Sequence, residues 1–173
     1  MKAVQFERVG GPEVIRLVEL PVPEPGSGEV RVKVSACGLN FSDIMIRQGR
    51  YVMDVSFPYS VGREFSGKVD AVGKGVDSLR VGDAVFALSF VGGAMAEYVV
   101  VGAASLNPVP VGIAPEEAAA LQIQGVNALL CVEDCGRVQK NETVVVHSAA
   151  SGVGGLAVQI APARGAKVLG TAS

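Results

Sequence analysis

The sequence predicts an α/β protein with a β-rich front part and a parallel βαβ unit at its rear. Three observations predict it. Short runs of β-branched residues, broken by Gly or Pro about every ten positions, fill roughly the first hundred residues, the punctuation of a small barrel or sandwich. The run Thr143-Val144-Val145-Val146-His147 is apolar without alternation, as is a strand buried on both faces of a parallel sheet. A glycine-rich turn and an amphipathic helix separate it from a second apolar run at 166–170.

Residues 14–19 read as a strand. Pro21, Pro23 and Pro25 follow, and with φ fixed and no amide hydrogen to donate they make an extended connector that excludes a helix. Over 29–37, Val30, Val32 and Val34 alternate with Arg31 and Lys33, the period that buries one face of a strand and wets the other. Residues 65–72, 84–88 and 96–101 continue the series, each bounded by a Gly pair or a Gly-Asp turn. Near residue 115 the character changes. Pro115 followed by Glu116 and Glu117 suits a first helical turn, where the missing amide hydrogen goes unused and acids meet the positive end of the dipole. The helical pattern continues through 126–135 and stops at Gly136. We therefore divide the chain into 1–120 and 121–173, the second part being an incomplete domain.

Composition limits the function classes. With 173 residues, 49% hydrophobic content and a net charge of −2, the chain carries enough apolar material for a core. Its Lys and Arg are scattered singly, which argues against nucleic acid as main partner. No segment approaches the roughly 18–20 apolar residues of a membrane span, so a cytoplasmic setting is expected. Cys37, Cys131 and Cys135 are an odd set without framework spacing and read as free thiols, the last two as core thiols of one helix. Three Cys and one His are too few and too dispersed for a structural zinc.

The chemistry concentrates in Ala149-Ala150-Ser151-Gly152-Val153-Gly154-Gly155, where small residues at 149, 152 and 155 have the spacing of a dinucleotide fingerprint. Such a turn lets backbone approach a pyrophosphate and aims helix N-terminal amides at its charge. A bare Gly cluster is only a loop. Here a strand precedes it and a helix (156–164) and strand follow, so Ala150, Ser151, Gly152, Val153 and Gly154 are read as cofactor-binding. NAD-preferring units place an acid about twenty residues further on, where Ala172 stands within Gly170-Thr171-Ala172-Ser173. Without that carboxylate a ribose 2′-phosphate has room, with Thr171 and Ser173 to hold it, and NADPH is favoured. Pro162 conflicts with the helix, where an internal Pro costs about 3 kcal/mol.

Further segments carry a family resemblance over essentially the whole chain. They are Gly38-Leu39-Asn40-Phe41-Ser42-Asp43, Arg47-Gln48-Gly49-Arg50-Tyr51, Gly62-Arg63-Glu64-Phe65-Ser66-Gly67, Val81-Gly82-Asp83 and Ala96-Glu97-Tyr98, together with the turn. In this order they resemble the quinone oxidoreductases, the zeta-crystallin-like branch of the zinc-free medium-chain dehydrogenases/reductases. The resemblance implies a GroES-like β domain followed by a Rossmann domain, with the active site in the cleft between them. It implies hydride transfer from NADPH to a quinone or an α,β-unsaturated carbonyl, and a homodimer at full length. The present stretch is expected to be inactive alone.

In the related zinc alcohol dehydrogenases a ligand Cys falls where Asn40 stands and a ligand His where Arg63 stands. Neither replacement binds zinc as that pair does, and no cysteine lies between 80 and 110, so no metal is expected. By resemblance Asn40 lies near the nicotinamide, Asp43 and Tyr51 line the substrate side, and Asn127 replaces a common Thr in the helix approaching the cofactor. Plain structural roles stand beside these. Asn40 suits an N-cap with Asp43 in the first turn, Tyr51 a half-exposed aromatic, Arg63 a surface ion pair, and His147 a packed strand end. Rival functions are an enoyl or acryloyl reductase, and a non-catalytic, crystallin-like dinucleotide-binding protein.

Overall fold

Alternation at Val30, Val32 and Val34 belongs to a ten-residue strand, Glu29–Gly38, that organises the front of the molecule. In chain order the strands are β1 (Lys2–Phe6), β2 (Arg16–Glu19), β3 (Glu29–Gly38), β4 (Tyr59–Ser60), β5 (Glu64–Val72), β6 (Ala84–Leu88), β7 (Tyr98–Gly102) and β8 (Asn107–Pro108). Strands β7-β3-β5-β6-β8 form a five-stranded antiparallel sheet, and β2-β1-β4 a three-stranded one. Val30, Val32, Phe65, Val69 and Val85 from the large sheet are buried together, while Arg31 turns outward to pair with Asp70 at 2.7 Å. Helices α1 (Phe41–Arg47) and α2 (Pro115–Ala120) complete this unit.

The computed structural model describes residues 1–52 and 54–172. They fall into two compact units, Met1–Ala120 and Leu121–Ser173. The second unit contains α3 (Gln122–Leu129), a π-helical turn (Leu130–Cys135), β9 (Thr143–Val146), α4 (Gly152–Ala163) and β10 (Lys167–Gly170). β9 and β10 pair in parallel, residue for residue from Thr143 with Lys167 to Val146 with Gly170. Ala128, Val132, Ala157, Ala161 and Ala166 form their core, and Val145 and Leu169 stay exposed. No helix among the described residues is long and apolar enough to cross a membrane.

Several local expectations are corrected. The strand expected over 14–19 starts only at Arg16, because Pro12–Val14 closes a 3-10 turn. Helix α4 begins at Gly152 rather than 156, with Ser151 as its N-cap. Pro162 therefore lies in the last turn, next to the end at Ala163, and the hydrogen bond it removes is among the helix's last. Cys131 and Cys135 are exposed, not core thiols. The helix widens there to a π-helical turn, and Val132 takes the buried position. His147 is exposed beyond the end of β9, its Nδ1 2.9 Å from Thr171 Oγ1, so it is not a packed strand end.

Candidate functional site

In the first unit, the end of β3 and the start of β5 lie side by side, Gly38 opposite Glu64. The chain leaving β3 turns into α1 at Asn40, whose extended backbone (φ −125, ψ 155) suits an N-cap. Asp43 Oδ2 accepts the Asn40 backbone N–H at 2.9 Å, and the Asp43 N–H donates to the Asn40 carbonyl at 3.0 Å. The Asn40 side chain completes a capping box with Asp43 and also reaches β5, its Nδ2 donating to Glu64 Oε1 at 2.7 Å. Asn40, Asp43 and Glu64 are all buried. Asn40 is thus both a helix cap and the meeting point of two carboxylates.

Tyr51 and Arg63 extend this cluster. Gly62 takes a left-handed φ of +96, and a Cβ there would lie 2.7 Å from Cys37 Sγ and collide with the Met95 backbone. That packing fixes where Arg63 starts. Its guanidinium carbon sits 5.4 Å from the Tyr51 ring centroid, and its Nη1 donates to the Tyr51 hydroxyl at 3.1 Å. The expected surface ion pair is therefore corrected: Arg63 is half-buried, and among the described residues no carboxylate pairs with it.

Electrostatics inside the cluster follow from burial. Burial raises the Asp43 carboxyl above its ordinary range, against the Asn40 amide and the Arg63 charge, which lower it. Burial and then the Asp43 charge raise the Tyr59 phenol. The Cys37 thiol is pushed up to about 12 by burial and by the charges of Asp43 and Glu64, which makes it inert as a nucleophile at neutral pH. Three buried polar atoms here, Asp43 Oδ1, Tyr59 Oη and Arg63 Nε, find no hydrogen-bond partner among the described residues. Glu64 and Tyr59 were not singled out as functional from the sequence. They reach the cluster only through strand pairing, Tyr59 opposite Phe6 and Glu64 opposite Gly38, which no local spacing reveals.

The second unit presents the phosphate-type turn. Ser148 adopts φ +55, its carbonyl accepts the Ser151 N–H at 2.8 Å, and the Ala149 N–H donates to the Thr171 carbonyl at 2.8 Å. Ser151 then caps α4, its Oγ accepting the Gly154 N–H at 3.1 Å. Ala150, Ser151 and Gly152 are exposed, so the Gly152 and Val153 amides, which have no carbonyl to reach within the helix, sit at an open N-terminus. Gly154 is buried, and a Cβ there would strike the Ser148 carbonyl, whereas one at Gly155 would meet only Ala149 O at 3.6 Å. The residue that must be glycine is therefore 154, outside the 149/152/155 spacing.

Asn127 is exposed on α3 and donates its Nδ2 to the Ile123 carbonyl at 2.7 Å, so its amide is bound to its own helix. Gln124 packs where a Cβ on Gly152 would go, 2.9 Å away, a neighbour of the turn that sequence reading missed. Thr171 is exposed with its hydroxyl on His147, and Ser173 lies outside the described residues.

The alcohol dehydrogenase GroES-like domain family matches residues 26–111. A quinone oxidoreductase from Rattus norvegicus is 39% identical over 99% of this chain and 53% of its own length. Among solved structures, the human synaptic vesicle membrane protein VAT-1 homolog-like protein superposes with a TM-score of 0.94 at 36% identity, covering 100% of this chain and 56% of that one. Escherichia coli quinone oxidoreductase complexed with NADPH gives 0.92 at 34% identity, covering 99% of this chain and 52% of that one. The chain spans about half the length of the curated relatives it matches.

Proposed function

We propose, for a chain that belongs to the quinone oxidoreductase branch of the medium-chain dehydrogenase/reductase superfamily, that the full-length protein is an NADPH-dependent reductase acting on a quinone or an α,β-unsaturated carbonyl without zinc. The observation that carries this reading is the open turn at the start of α4, folded so tightly that a Cβ on Gly154 would strike the Ser148 carbonyl. A pyrophosphate fits the free amides of Gly152 and Val153, beside the exposed Ala150 and the cap Ser151, and Gly154 lets the turn fold tightly behind them. Thr171 and Ser173, with no acid at 172, are assigned to the ribose 2′-phosphate, and Asn40 and Asn127 to the nicotinamide side. When bound, NADPH supplies the hydride.

The first unit's residues serve the acceptor. Tyr51 and Asn40 donate to the oxygen on which negative charge develops, Asp43 holds the Asn40 backbone in place, and the last proton comes from solvent. The zinc-free part rests on the types and engagements of two residues. Asn40 donates its amide nitrogen to Glu64, Arg63 donates to Tyr51, and neither offers a thiolate or imidazole. The reading includes a homodimeric, cytoplasmic enzyme.

Following NADPH consumption by the full-length protein with phenanthrenequinone, para-benzoquinone and a set of enones tests the reading. Turnover of the quinones is the expected result. Turnover of enones alone would instead favour an enoyl reductase, and no turnover of either class would overturn the assignment.

A further inference from the structure

Arg63 is not used by the mechanism above, yet its placement is costly. A half-buried guanidinium without a carboxylate partner loses hydration that only hydrogen bonds and stacking replace, and its buried Nε finds nothing to bond among the described residues. Gly62 and its contact with Cys37 hold the backbone so that Arg63 covers the ring of Tyr51. The nearby acid, Asp43, has one oxygen on the Asn40 amide; among the described residues its other oxygen has no hydrogen-bond partner, and it forms no ion pair with Arg63.

The direction of the Arg63–Tyr51 bond decides what Tyr51 can do. Guanidinium only donates, so the Tyr51 oxygen is the acceptor at 3.1 Å and its own hydrogen is left for a third group. A phenol whose oxygen already takes a charge-assisted hydrogen bond is a stronger donor.

We infer that Arg63 is a positioning residue that sets Tyr51 as hydrogen-bond donor to a phenolate-type oxygen, giving the site its affinity for the oxyanion formed as a quinone is reduced. This rests on the quinone-reductase reading and names the residue that tunes its substrate side. Arg63 acts through Tyr51, so the two side chains must be energetically coupled.

A double-mutant cycle on the full-length protein, with a binding measurement beside it, tests the inference. Arg63→Met should lower kcat/KM for para-benzoquinone about tenfold, the worth of one charge-assisted hydrogen bond, and should change it less than about twofold once Tyr51→Phe is present. Without cofactor, para-nitrophenol titrated at fixed pH should bind the unmodified protein as the phenolate, seen by its visible absorption. Arg63→Met should weaken that binding about tenfold. Arg63→Lys, which keeps the charge for folding but not the planar fork, should also lose binding severalfold.

An Arg63→Met loss that is undiminished beside Tyr51→Phe, or phenolate binding by Arg63→Lys equal to that of the unmodified protein, would overturn the inference. Arg63-dependent phenolate binding in a protein that turns over no quinone would instead overturn the quinone-reductase reading and leave the Arg63 assignment standing.

Discussion

Replacing Gly154 with valine is expected to abolish NADPH binding by the full-length protein and to destabilise the βαβ unit. A Cβ at this position runs into the Ser148 carbonyl, which already accepts the Ser151 N–H at 2.8 Å. Either the turn opens and loses that bond with the Ser151 cap on Gly154, or α4 shifts out of its packing through Ala157 and Ala161. Overpacking of this kind costs about 1–3 kcal/mol, and displaced amides should weaken cofactor affinity by more than about a hundredfold. Gly155→Ala is the control, since its Cβ would make only an ordinary 3.6 Å contact with Ala149 O and should bind NADPH nearly as the unmodified protein does. Calorimetric titration with NADPH and a thermal melt read both effects. Equal NADPH affinity in the two variants would remove the turn from the cofactor site.

A preference for NADPH over NADH of about ten- to hundredfold in kcat/KM is the second large effect expected, corresponding to about 1.5–3 kcal/mol from one charge-assisted phosphate contact. Its source is the segment after β10, where Ala172 is exposed and carries no charge to repel a 2′-phosphate. Thr171 beside it is held by His147, which orients the hydroxyl at the edge of the same turn. Ala172→Asp should shift the preference toward NADH by adding both a ribose acceptor and a repelling charge. Steady-state kinetics with both cofactors check this, and an unmodified enzyme equally fast with NADH would contradict it.

What the sequence made legible was mostly local. The two-residue period at Val30, Val32 and Val34 is the pattern of a strand with one buried face, and the unbroken run at 143–147 locates β9. That strand ends at Val146 and, paired among the described residues only with β10, leaves Thr143 and Val145 exposed rather than buried. The turn between β9 and α4 was visible from its small residues. Which of them must be glycine was not, because the constraint at 154 comes from a carbonyl folded back over the helix start rather than from spacing. The Asn40–Glu64 contact joins residues 24 apart through the pairing of β3 and β5, and the bulge between Val34 and Ala36 shifts that register away from simple counting. Cys131 and Cys135 show the reverse failure. Their four-residue spacing implies a shared helical face only while the helix keeps its ordinary pitch, and the π-helical turn removes that condition.

The central claim, NADPH-dependent reduction that needs no metal, is tested most directly by one assay of the full-length protein after exhaustive chelation and metal analysis. With less than stoichiometric zinc remaining, para-benzoquinone and NADPH should be consumed in equal amounts at an undiminished rate. Loss of turnover on chelation, restored by adding zinc, would contradict the account.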